Sequence, residues 1–226
     1  MKRIWLPAFL ALILGVTAAV QPVRAESSQE QVIADARGVV ATFGNKGEYL
    51  TNVRDLVHRS RAVLIVPELV KGGFIFGAQG GTGVLLVHER GGGWSYPAFY
   101  NMGAASFGLQ IGVEVSKIVL VIMTDRALNA VLQNEFKIGA EAGIAVATLG
   151  TGAEASTTAN AGADIYAMAV SKGLFGGVAV QGGILKPYDS WNAAFYGHPV
   201  SAGDIVLRNT VTNPMADRLR AALARQ

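Results

Sequence analysis

Apolar side chains recur along this chain first with a helical period and then with a strand-like one. Between residues 28 and 42, Val32, Ala36, Val39 and Val40 share one face, with Gln31, Asp35 and Arg37 elsewhere, which predicts an amphipathic helix. Gly44 and Gly47 end it. Leu50, Val53 and Val57 repeat the pattern and predict a second helix over 48–61. Ala62 to Val66 is an unbroken apolar run, punctuated by Pro67. From Lys71 onward the spacing becomes that of glycine-separated strands. Val84 to Val87 leads into the turn signal His88-Glu89-Arg90-Gly91-Gly92-Gly93, and Trp94 to Tyr100 resumes as a strand in which Pro97 marks an edge or a bulge. Over 110–116 Ile111, Val113 and Val115 alternate with Gln110, Gly112, Glu114 and Ser116, the pattern of a half-buried strand. Ile118 to Met123 is continuously apolar and predicts burial on both faces.

Thr124 or Asp125 caps a further helix to about Asn134, with Leu128, Val131 and Leu132 inward. Strands are expected over 141–149, 162–170 and 174–180. Asn213 followed by Pro214 is a helix start, and Met215, Leu219, Ala222 and Leu223 form the apolar stripe of that last helix. The spacing of Lys71-Gly72 before Gln79-Gly80-Gly81 is nearly repeated by Lys172-Gly173 before Gln181-Gly182-Gly183. These elements predict an α+β fold. N-terminal helices precede a glycine-rich antiparallel sheet or barrel-like sandwich, and a C-terminal helix follows, as a single domain over 26–226.

The first 25 residues change the charge picture. Lys2 and Arg3 precede an apolar run from Ile4 to Val20, and Val23-Arg24-Ala25 places small residues where a signal peptidase cuts. The expected product is an exported, periplasmic or secreted protein. It should be soluble after cleavage, or held peripherally at a membrane, because Glu26 rather than a cysteine follows Ala25. Three of the 19 basic residues leave with this leader and all 16 acidic ones remain, so the formal charge falls from +3 to zero. That balance excludes a global nucleic-acid footprint. The chain has no cysteine, which excludes disulfides, thiol catalysis and cysteine–zinc sites.

Little catalytic chemistry can be read. Gly77 to Gly83 lacks the Lys-Ser/Thr of a phosphate loop and is followed by a strand, so its glycines mark a bulge or a close backbone approach. His58, His88 and His198 form no metal spacing, and no Gly-x-Ser-x-Gly elbow occurs. Glu135 and Glu141 flank Lys137 as a solvated loop. No catalytic residue, metal or cofactor is predicted. The one charged constellation is basic: Arg54, His58 and Arg61 at i, i+4 and i+7, with Arg59 beside them and Lys71 soon after. A basic face next to the Leu50/Val53/Val57 stripe suits an anionic lipid headgroup.

Gly80-Gly81-Thr82-Gly83, Gly93-Trp94-Ser95-Tyr96-Pro97, the run from Gly103 to Thr124, Ser171 to Val178 and Tyr196-Gly197 together resemble the SYLF domain family over roughly 28–225. The resemblance implies a non-enzymatic lipid-binding module, and fungal relatives also bind actin. Lys117 stands where the family usually has an acidic residue. For an exported chain the expected partner is anionic phospholipid or a membrane surface in the bacterial envelope, with actin suggested by family analogy alone. The alternatives are a small outer-membrane β-barrel, for which the charged C-terminal helix is the wrong ending, and an envelope hydrolase.

Overall fold

The computed structural model describes residues 27–43, 48–73, 76–107, 112–141, 143–149, 162–170 and 182–226. The expected leader, the strand at 174–180 and the glycine stretch 171–181 lie outside them.

β1 (Ala62–Gly73) is the strand around which the rest is arranged. It pairs antiparallel with β2 (Phe76–Val87) on one side and β4 (Gly112–Ile122) on the other. β3 (Ala98–Phe107) lies beyond β2. With β5 (Phe136–Lys137), β6 (Val146–Leu149), β7 (Ile165–Val170) and β8 (Ile184–Pro187), these strands form one sheet in the order β5-β8-β3-β2-β1-β4-β7-β6. Every pairing is antiparallel except β6 with β7.

Strand alternation divides the central residues between two apolar clusters. Leu64, Val66, Leu120 and Ile122 join one, and Val63, Ile65, Val119 and Val121 join the other. All are at most 1% exposed, so the sheet is dry on both faces here, as the runs 62–66 and 118–123 predict.

The two edge strands, β5 and β6, are joined by residues 138–145 alone. Lys137 and Val146 are nine residue steps apart, at most about 32 Å when fully extended, whereas eight strands laid flat would separate their edges by roughly 34 Å. The sheet therefore curls into a half-barrel. Ile138 and Ile144 of the link pack into the first cluster, so the curl encloses that face. Inside it also lie α3 (Asp125–Val131), through Ala127, Leu128 and Val131, and α5 (Ala202–Val206), through Ala202, Ile205 and Val206. The outer face carries α1 (Ser28–Thr42), α2 (Glu48–Arg59), α4 (Asp189–Tyr196) and α6 (Asp217–Leu223). Helices thus occupy the face that an outer-membrane barrel would turn to lipid.

The caps are those the sequence announces. Thr124 Oγ1 accepts from Ala127 N at 3.2 Å, and Asn213 Oδ1 accepts from Met215 N at 3.1 Å. Pro214 opens a 3-10 turn, Pro214–Ala216, that leads into α6.

Other expectations are corrected. β1 does not stop at Pro67. It passes through a bulge: two residues, Pro67 and Glu68, face only Lys117 of β4 between the pairs Val66↔Ile118 and Leu69↔Ser116. A bulge is where a proline can enter an interior strand, because no ladder donor is needed there. At Val115 and Ser116 of β4 the anticipated phase is reversed: Val115 is 55% exposed and Ser116 is buried. Val115 lies on the outer face beyond the reach of the covering helices, and Ser116 points into the enclosed side. Trp94 is not in a strand; it makes a lone bridge to His88, and β3 begins at Ala98. Met215 leaves the apolar stripe and is 49% exposed, while Leu219, Ala222 and Leu223 are buried.

The Gly-Trp-Ser-Tyr-Pro motif fastens α6 to the sheet. Ser95 Oγ accepts from Val87 N and donates to the Tyr96 carbonyl, each at 3.0 Å. Arg220 Nε donates to the Trp94 carbonyl at 2.8 Å while its guanidinium sits 4.0 Å over the Tyr96 ring. The Tyr96 hydroxyl donates to Asp217 Oδ1 at 2.9 Å.

Candidate functional site

The basic constellation is only partly assembled. α2 docks through Val53 and Val57, both fully buried, which turns Arg54, His58 and Arg59 outward to solvent. The helix ends at Arg59, so Arg61 is not its next turn. Its backbone already belongs to the sheet end, donating to the Ile122 carbonyl at 2.8 Å and accepting from His88 N at 2.9 Å. The Arg61 side chain pairs with Asp125 at 2.7 Å, so its charge is compensated. Arg54 Nε donates to the backbone oxygen of Gln226 at 2.7 Å, and Arg59 Nε to the Asp55 carbonyl at 3.4 Å. Lys71 is separate altogether. It lies ten residues along β1 from Arg61, roughly 30 Å away at a strand's rise, in register with Glu114 and Gln79. Lys117 is exposed on β4 beside the bulge.

What remains at the α2 end is two solvent-exposed guanidinium groups, Arg54 and Arg59, with the His58 imidazole beside them on a docked helix, able to meet phosphate or carboxylate oxygens. The perturbed titrating groups lie elsewhere, and each has a structural partner. The Asp164 carboxyl is held below its ordinary range chiefly by the Ala145 N–H, helped by Thr124 and Arg126 against the opposing effect of burial. Glu135 is lowered by Lys186, which it meets at 2.7 Å. Burial raises the Tyr100 and Tyr196 hydroxyls, which donate to the Val131 and Pro97 carbonyls. Among the described residues no three His, Cys, Asp or Glu side chains converge as a metal site would require. His88 stacks on Trp94 at 4.9 Å, and His198 Nδ1 lies 3.1 Å from the Tyr196 carbonyl oxygen.

Sequence reasoning did not single out Asp164, Asn192 or Arg220, each of which ties elements distant in the chain. It also did not anticipate that Arg37 of α1 and Arg218 of α6 line one groove. A separation of about 180 residues leaves no local signal for that meeting.

The half-barrel with its helical outer layer and the exposed arginines of α2 has the character of a binding module. Residues 103–226 match the Ysc84 family, described as Las17-binding protein actin regulator, and the chain belongs to that family, in agreement with the SYLF motifs. It is 30% identical over 157 residues to the human SH3 domain-containing YSC84-like protein 1, covering 69% of this chain and 46% of that protein. It is 30% identical over 168 residues to LAS seventeen-binding protein 3 of Saccharomyces cerevisiae, covering 73% of this chain and 36% of the yeast protein. The Xenopus laevis YSC84-like protein is 33% identical over 135 residues, which is 59% of this chain and 40% of that protein. The chain thus spans less than half the length of each of these relatives.

Proposed function

We propose that this chain is a non-catalytic SYLF module of the bacterial cell envelope, exported and held at the anionic surface of a membrane. The observation that carries this reading is the outward set Arg54, His58 and Arg59 on α2, a helix whose apolar side is already committed to the core. Such a face attracts anionic headgroups without having to insert, each arginine contributing about 1 kcal/mol near the surface. Actin regulation, the description attached to the family, is not carried over, because export separates the chain from actin.

Flotation of the purified protein with vesicles containing phosphatidylglycerol, against vesicles of phosphatidylcholine alone, tests the reading. Wild type should float with the anionic vesicles and be released by high salt. Arg54→Glu combined with Arg59→Glu should weaken partitioning at least roughly tenfold. Equal flotation of the double variant would remove the α2 face from the mechanism, and no flotation of wild type would remove lipid.

A further inference from the structure

The outer helical layer holds a second, differently built surface. Between α1 and the turn that leads into α6 runs a groove of about 380 Å³. Its floor is apolar and recessed: Ile33 is 4% exposed and Leu219 is fully buried. Met215, half-exposed, forms one wall. Arg37 and Arg218 stand at the rim with Glu30. Neither arginine takes part in an ion pair or hydrogen bond among the described residues. By contrast Arg61, Arg126, Arg208 and Arg220 are all engaged with carboxylates. Two uncompensated guanidinium groups therefore overhang an apolar slot, and one of its walls is a methionine, the side chain best able to reshape around an incoming group.

We propose that this groove docks a short acidic protein segment that carries one large apolar side chain. The slot takes the apolar anchor, and Arg37 and Arg218 take carboxylates on either side of it, a geometry suited to paired charge-assisted hydrogen bonds. The volume, near the lower end of the roughly 300–1,000 Å³ of small-molecule pockets, fits an anchor rather than an extended ligand. A bilayer is the poorer match, because its surface is met by protruding apolar groups, whereas this floor lies below the rim.

The proposal is independent of the α2 reading, and its test separates the two. Fluorescence anisotropy would be followed with three fluorescein-labelled synthetic peptides. One is rich in Asp and Glu with a single central Phe, a second carries Ala in place of that Phe, and a third carries Lys in place of the acids. The first should bind at least roughly tenfold more tightly than either of the others, and more weakly at high salt. Arg37→Glu with Arg218→Glu should abolish that preference, and Met215→Ser should weaken the Phe peptide while sparing the Ala peptide. All three positions border solvent, and unchanged thermal unfolding would confirm that the fold survives. Arg54→Glu with Arg59→Glu should leave peptide binding intact. Equal binding of the three peptides, or a preference that survives Arg37→Glu with Arg218→Glu, would overturn the proposal. So would loss of phosphatidylglycerol flotation on changing Arg37 and Arg218 alone, which would make the groove a lipid site.

Discussion

At the scale of single residues, Gly81 and Gly83 of the run Gly80-Gly81-Thr82-Gly83 are set by the bulged stretch of β1. A Cβ built on Gly81 would fall on the Glu68 carbonyl oxygen, and one on Gly83 would lie 2.5 Å from the Ile65 carbonyl oxygen. Both clashes are with backbone, which a rotamer change cannot relieve. Gly80 has no atom nearer than 3.7 Å. Gly81→Ala should therefore cost about 3 kcal/mol or more in denaturant unfolding, while Gly80→Ala stays within about 0.5 kcal/mol. That these glycines mark a close backbone approach was legible in the sequence, but which carbonyl approaches was not, because Pro67 reads locally as the end of a strand. Asp164 is the converse case, an ordinary acidic residue with no motif around it. It accepts from Thr124 Oγ1 at 2.7 Å, Arg126 at 2.8 and 2.9 Å and Ala145 N at 3.0 Å, joining the start of α3 to β6 and β7. Its folded-state pKa is depressed, so its contribution is present above the unfolded value near 4 and is lost as pH falls through the lower folded value. Asp164→Asn should lower stability by about 2 kcal/mol at neutral pH and flatten the acid limb of the stability curve, as urea titrations across pH would read.

At the scale of elements, the parts that could be read are those with a full period and a cap. α1 starts where Ser27 Oγ accepts from Glu30 N and α3 at its expected Thr124 cap, whereas the expected Asn213 cap opens the 3-10 turn and α6 itself begins at Asp217 behind Ala216, with no side-chain cap. β8, with four residues, and α5, with five, are too short to show a period and went unread. α4 has period enough, but its decisive residue is polar. Asn192 is fully buried, accepting from Phe99 N at 2.7 Å and donating to the Phe99 carbonyl at 3.4 Å. It thus supplies a rung to β3 just past the Tyr100↔Pro187 pair, where the β8 ladder ends. Nothing in the local sequence distinguishes it from a solvated asparagine. Asn192→Leu, close in size, would leave the Phe99 N–H without that acceptor and should destabilise by about 2–3 kcal/mol, with faster amide exchange at Phe99 than at Tyr100.

At the scale of the whole molecule, the fold class was legible from the switch between helical and strand periods, and the strand order was not. Pairings such as β3 with β8 join segments about 80 residues apart and leave no mark on either. The candidate site shares this limit: Arg54, His58 and Arg59 could be placed on one helix, but the compensation of Arg61 by Asp125 depends on β4 returning beside β1.

The order β3-β2-β1-β4 also bears on where the protein can be cut. The family match begins at Gly103, inside β3 and after both β1 and β2. A fragment of residues 103–226 would keep β4 while losing the two strands that stand between it and β3, along with Leu64 and Ile65 from the centres of the two cores. It should be expressed as an unfolded or aggregating chain, and a sharp cooperative melt of that fragment would show otherwise. The stretch that the family match covers and the smallest unit expected to fold on its own are therefore different things in this protein.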